Sequence, residues 1–377
     1  MPKYSANGDE PIPVSKPFMW GNEAEYVKNA IEAGWISSRG KFVNSFEKLF
    51  AETLGVNHAV TVSNGTAALH LALSVLGVSQ GHEVIVPDFC MISPVLAVLY
   101  CGATPVSVDI DETWNMDPSL IEEEITDRTR AILVVHNYGH PAAMEEIAAI
   151  ARRRGIHLVE DGAEALGATV NGRQVGTFGE LACFSFYANK LITTGEGGMV
   201  VMNDDALHAK ACWKRDLCFG ADEEHRFVHQ EIGFNFRMTN VQAAIGVAQL
   251  EHFDEAVTQK IEIARQYTAR LEGLRGLTLP PEASWAKNVY WVYGVVVEPE
   301  FGISRAALQQ RLREMKIETR RFFSPVQHQP ILSHLPTRAN CPRSAHLANN
   351  GFYLPSYIGM TEDVVERVAR AVRSFQA

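Results

Sequence analysis

The stretch AVTVSNGTAALHLALSVL, Ala59 to Leu76, sets a short β-branched run, a polar turn and an apolar helical run in immediate succession. Ala59-Val60-Thr61-Val62 reads as a strand, Ser63-Asn64-Gly65-Thr66 as the turn, and Ala67 to Leu76 as a helix. The alternation continues as far as Asp161. Strands are expected at Glu83 to Val86, Pro105 to Asp109, Ala131 to His136 and Ile156 to Glu160. Helices are expected near Val95 to Tyr100 and at Ala142 to Arg154. Strands that lack clean in/out alternation and are joined by helices indicate an α/β fold, with a largely parallel sheet covered on both faces. Such sheets bind ligands beyond the carboxyl ends of their strands. Three polar motifs fall at those positions, so an enzyme is expected.

Farther along, Leu181 to Tyr187 and Met199 to Met202 read as strands. A long helical run starts near Met238 and continues towards Leu274 with a bend or break. Composition changes at Gly276 to Pro281. Beyond it, a strand at Tyr290 to Val297 and helices at Arg305 to Lys316 and Thr361 to Phe375 read as a smaller α+β domain. The expected division is residues 1–276 for an N-terminal segment and large domain, and 277–377 for the small C-terminal domain. The first fifty-odd residues are expected to build the small domain's edge or a partner contact.

The 377 residues, 46% hydrophobic and 21% charged, suit a globular protein and not a disordered or fibrous one. A net charge of −10 argues against broad polyanion binding, and no nucleic-acid partner is expected. Arg152-Arg153-Arg154 is read as complementing the negative pole of a helix end. Six cysteines without a CxxC pair are read as free thiols in a reducing compartment. Met1-Pro2-Lys3-Tyr4 lacks an apolar signal segment, and no apolar stretch is long enough to span a bilayer. A cytoplasmic protein with no membrane partner is therefore expected.

Lys190 is the most informative residue. It follows the aromatic run Phe184-Ser185-Phe186-Tyr187, precedes a Thr/Gly-rich turn, and is the one lysine between Lys48 and Lys210. A lysine held there loses hydration and becomes a carbonyl-reactive amine; the alternative is a surface lysine in a loop. Asp161 ends a buried strand. It suits a carboxylate that keeps a pyridine nitrogen protonated, or equally a helix N-cap. Gly65 and Thr66 open a helix, where free amides make a phosphate site, and the Ser185 hydroxyl can add a donor. His136 and His140, and His225 and His229, form no complete metal-ligand set, so no metal is expected. No strand-linked GxGxxG, no GxxxxGK[ST] and no GxSxG motif occurs.

Taken together, several segments resemble the nucleotide-sugar aminotransferases of the DegT/DnrJ/EryC1/StrS family. They are GWISSRG (Gly34 to Gly40), SNGTAALHLAL (Ser63 to Leu73), VEDGAEALGA (Val159 to Ala168) and GTFGELACFSFYANKLITTGEGGMV (Gly176 to Val200). GFNFRMTNVQAAIG (Gly233 to Gly246) and IETRRFF (Ile317 to Phe323) extend the match over nearly the whole chain. The resemblance implies fold type I of the pyridoxal phosphate-dependent transferases, similar to aspartate aminotransferase: a large mixed, mostly parallel sheet and a smaller C-terminal α+β domain. It implies that Lys190 carries pyridoxal 5′-phosphate (pyridoxamine phosphate being the intermediate form) and that Asp161 pairs with the ring nitrogen. Gly65, Thr66 and Ser185 would hold the phosphate, with Asn235 reaching in from the second subunit of a homodimer with shared active sites.

Three departures mark this chain. Glu164 stands where the family often has Gln or His near the cofactor's 3′ oxygen, and resembles members that make perosamine-like 4-amino sugars. Met91 occupies the region where many relatives place an aromatic residue over the ring, with Phe89 the other candidate. Gln327 stands where histidine is frequent. The resemblance implies amino transfer from L-glutamate to C4 of a nucleoside-diphosphate 4-keto-6-deoxyhexose. C3 amination of a 3-keto sugar, or a non-catalytic regulatory protein that binds the cofactor, are the alternatives. His225, Arg226, Arg320 and His328 are candidate contacts to the nucleotide sugar. Members that remove the C3 hydroxyl carry histidine at the lysine position, so Lys190 argues against that chemistry.

Overall fold

The computed structural model describes residues 10–335 and 339–376, so the Met1 to Tyr4 segment lies outside the described residues. Seven strands form the main sheet: β1 (His58–Val62), β2 (Glu83–Pro87), β3 (Thr104–Val108), β4 (Thr129–Val135), β5 (His157–Asp161), β6 (Leu181–Ser185) and β7 (Gly198–Met202). Their order is β1-β7-β6-β5-β4-β2-β3, and only β7 is reversed, antiparallel to both β1 and β6. The expected strands are thus present within one or two residues at each end, in a mixed, mostly parallel sheet.

Successive residues of each strand feed opposite layers. Val84 and Val86 join a core with Leu69, Leu71 and Leu133, whereas Ile85 joins Ile132, Val134 and Ile147 on the other face. Both faces are apolar because both are covered, which explains the missing alternation.

Two N-terminal helices, α1 (Glu23–Glu32) and α2 (Lys41–Leu54), were not expected from the sequence; both pack on the large body. The start of α2 has only Gly40 at its cap, and its amides are satisfied from far away: Phe42 and Val43 donate to Asn240 Oδ1 at 3.0 and 3.4 Å. Phe46 and Phe50 on its inner face are fully buried, each worth about 1.5–3 kcal/mol of apolar transfer. After the turn at Ser63 and Asn64, α3 (Gly65–Val75) covers the sheet over β6 and β7.

The long helical run is two helices, α4 (Asn240–Leu250) and α5 (Phe253–Leu271), broken at Glu251 and His252. Thr239 and Gln242 form a capping box that starts α4. A second, antiparallel sheet follows in the order β8-β9-β11-β10, from β8 (Leu277–Thr278), β9 (Tyr293–Val297), β10 (Arg320–Arg321) and β11 (Gly351–Leu354). All its strands come after residue 276. Helix α5 serves both cores, with Phe253 and Val257 in the first and Ile263, Tyr267 and Leu271 in the second. The N-terminal segment also reaches this smaller body, where Ile12 bridges Ile317.

Candidate active site

A cavity of ≈ 640 Å³ opens at the carboxyl ends of the main-sheet strands. At one end, Asn64 caps α3, its side chain accepting from Ala67 N at 2.8 Å. The first-turn amides of Gly65 and Thr66 have no acceptor within the helix and adjoin the cavity. Thr66 Oγ1 lies 2.7 Å from Ser93 Oγ, and Ser185, the last residue of β6, faces the same space. A Cβ added at Gly65 would sit 2.8 Å from Ser185 Cβ, so glycine is required by the close approach of the helix start to the strand end.

Lys190 follows β6 in a tight turn, with its amide donating to Tyr187 O at 2.9 Å. Its Nζ lies 4.0 Å from Glu164 Oε1 and 3.7 Å from the centre of the Trp291 ring. Burial holds the amine below the ordinary lysine range, against the opposing pull of Glu164 and Asp161. Asp161 ends β5 and is 6% exposed, with Oδ1 accepting from Ala163 N at 3.0 Å. Burial raises its carboxyl, while the Ala163 amide, Lys190 and His136 pull the other way. Burial likewise lifts Glu164 to about 7, opposed by Lys190 and by the Tyr138 amide, which donates to Oε2 at 2.8 Å. A nearly buried amine between two carboxylates, one of them poised near neutrality, is equipped to move protons.

Met91 adjoins the cavity and its sulfur accepts from Ser93 N and Oγ at 3.1 Å each. Phe89 does not; it is fully buried among Tyr138, Phe322 and Phe323. Of the four expected sugar contacts, Arg320 alone lines the cavity, paired across β10 and β11 with Tyr353. His225 is exposed and bound to Asp222 at 2.8 Å, and Arg226 lies over Phe219 at 5.1 Å. His328 is exposed in the short turn Val326–His328. Asn235 is exposed and is not part of this chain's cavity wall, although its neighbour Phe236 is.

Trp291 was missed as a site residue. The sequence pattern places it inside a strand from Tyr290 to Val297, but β9 begins only at Tyr293, and Trp291 lines the cavity wall. Nothing local could have signalled its approach to a lysine about a hundred positions earlier. The paired histidines serve structure. His136 Nδ1 accepts from Ala142 N at 3.0 Å, and burial pushes His140 down to about 4. His229 bonds Leu217 O at 2.8 Å. Among the described residues, no group of three His, Cys, Asp or Glu side chains is arranged to hold a metal ion, and no helix is long and apolar enough to cross a membrane.

A seven-stranded sheet with one reversed strand, and a buried lysine and carboxylates at its strand ends, define the class: a pyridoxal phosphate-dependent transferase of fold type I. The chain belongs to the DegT/DnrJ/EryC1/StrS aminotransferase family, whose profile matches residues 19–373. It is 40% identical to the GDP-perosamine synthase of Vibrio cholerae over 97% of this chain and 99% of that one. It is 42% identical to the GDP-perosamine synthase of Escherichia coli O157:H7 over 97% and 98%. Among solved structures, DesV of S. venezuelae, in complex with a ketimine intermediate, superposes with a TM-score of 0.89 at 33% identity, covering 97% of this chain and 99% of that one. The protein is a transaminase, and the regulatory alternative falls away.

Proposed function

We propose that the protein transfers the amino group of L-glutamate to C4 of a GDP-linked 4-keto-6-deoxyhexose. The observation that carries the chemistry is Lys190 Nζ, 4.0 Å from Glu164 in a cavity whose wall includes Asp161. The choice of sugar is supported by end-to-end similarity to GDP-perosamine synthases.

The residues present fit pyridoxal phosphate. The Gly65–Ser185 approach leaves a cradle that a single Cβ would fill, and the open amides of α3 suit a phosphate. When bound, the cofactor supplies a carbonyl that condenses with amines and a ring that accommodates the negative charge developed as a Cα–H bond breaks. Gly65, Thr66 and Ser185 would hold its phosphate, Met91 would contact the ring, and Asp161 would keep the proton on the ring nitrogen. Lys190 Nζ would anchor the cofactor. Once displaced by the donor amine, it would take the proton from the donor's Cα and return one at the sugar carbon. Glu164, lifted to about 7, would share one proton near the 3′ oxygen. Arg320 would meet an anionic group of the nucleotide sugar.

A homodimer completes this reading, with Asn235 serving the cavity of the second copy. Phe227 and Ile232, 77% and 81% exposed on the nearby loop, supply apolar surface for that contact. The six free cysteines fit a cytoplasmic location.

Incubation with L-glutamate and a panel of GDP- and dTDP-linked 3-keto and 4-keto sugars tests the assignment. NMR of the product should show an amine at C4 of the GDP sugar, with 2-oxoglutarate released in equal amount. Amination at C3, or turnover only of dTDP sugars, would overturn the substrate assignment and leave the transaminase class intact. The phosphate cradle has its own check. Gly65→Ala should weaken cofactor binding by about tenfold, or ~1.4 kcal/mol, in a titration of the apoenzyme. Unchanged affinity would remove Gly65 from the cradle.

A further inference from the structure

Trp291 occupies an unusual place. Its indole face lies 3.7 Å from Lys190 Nζ, and its Nε1 donates to Asn189 O at 2.8 Å, the carbonyl next to Lys190 in the chain. Ring and lysine are therefore pinned to one another directly. The backbone that delivers the ring is strained: Tyr290, a bulky residue, has φ +48°. Asn288 Oδ1 supports that turn by accepting from Tyr290 N at 2.7 Å. Gly139 makes room for it, since a Cβ there would sit 2.6 Å from the amides of both Tyr290 and Trp291. Three separate features thus hold Trp291 against one amine.

We propose that Trp291 is a positioning residue that holds the free Lys190 Nζ against its indole face, aimed into the cavity, and stabilises the ammonium that forms there when Nζ takes up a proton. This rests on the reading of Lys190 as the cofactor-bearing amine. An aromatic face attracts a cation most strongly where water is excluded, and Lys190 is nearly buried. Glu164 and Asp161 add to the hold from the end of β5 and the segment after it. On the other side, Lys260 of α5 and Lys16 line a narrow cavity behind Trp291, with Lys260 Nζ donating to Ser356 O at 2.9 Å. Glu196, Tyr187 and Tyr353 line the front cavity, with Arg320 and His70. The ammonium formed when Nζ takes a proton is the form that returns one at the sugar carbon, and the indole contact keeps the side chain from folding away while substrates exchange.

The test follows cofactor capture by the apoenzyme as a function of pH, read from the absorbance of bound pyridoxal phosphate. Only the neutral amine attacks the carbonyl, so capture accelerates as pH rises through the amine's titration. Removing the indole weakens the ammonium form. Trp291→Leu should move the half-point to lower pH by about one unit, and Trp291→Phe by a smaller amount in the same direction. A purely structural Trp291 would change the amplitude or thermal stability and leave the half-point in place. If the Leu variant does not fold, the Phe variant decides. An unmoved half-point in the folded variants overturns the proposal. Lys190→Ala apoenzyme, run alongside, separates the two claims: covalent capture persisting there defeats the reading of Lys190 itself.

Discussion

Lys190→Ala should lower turnover by at least about 10⁴-fold and remove the absorption band of covalently held cofactor. The size follows from losing two roles at one atom, the nucleophilic anchor and the general acid–base, the second alone being worth about 10²–10⁴. Lys190→Arg should be as inactive, because a guanidinium keeps its charge and cannot give up the proton that either role requires. The pair of variants therefore distinguishes chemistry at Nζ from a positive charge in the cavity. Both should remain folded by circular dichroism, since Lys190 has no hydrogen-bonded ion pair to lose; its nearest carboxylate oxygen is 4.0 Å away. Turnover retained in the alanine variant would sink the active-site assignment.

Lys190, Asp161, Gly65, Thr66 and Ser185 were legible from local pattern because each sits at, or a few residues beyond, the carboxyl end of a main-sheet strand, whereas Glu164 and Met91, which line the same cavity, were named through the family resemblance. A parallel sheet sends all those ends to one edge, so local strand–turn–helix reading already assembles much of the site. What stayed illegible depends on contacts between distant segments. Helix α2 has an apolar stripe, but its cap is Asn240, some two hundred residues on, and no cap residue precedes it. Strand β10 is two residues long, too short for any periodicity to appear. Trp291 reaches Lys190 through a strained turn that a β-branched run after it had made look like continuous strand. The loop that carries His225 and Arg226 had polar residues of the right kind and sequence neighbours that matched the family. The fold nevertheless spends their bonds on Asp222 and on aromatic rings outside this chain's cavity. Residue type alone does not say which cavity a loop serves.

Asp161→Asn should separate function from stability in opposite directions. Burial raises the Asp161 carboxyl above its unfolded value even after the help of Lys190 and the Ala163 amide. A raised carboxyl contributes stability at pH below its unfolded value and loses it as pH climbs through the folded value, so at neutral pH the buried charge works against folding. Asparagine keeps the shape and one acceptor for the Ala163 amide without the charge. The apoenzyme of the variant should therefore melt at a higher temperature than wild type at pH 7, with the gap closing as pH falls towards 4 and wild-type Asp161 takes up its proton. Turnover should fall by about 10³-fold, because an amide cannot hold a proton on the ring nitrogen while charge develops in the ring. Differential scanning calorimetry across that pH range and a glutamate half-reaction assay read the two effects independently. A variant that is less stable at pH 7 and still turns over normally would mean that Asp161 is only a structural cap for the turn after β5, and the electrostatic design inferred for this cavity would have to be given up.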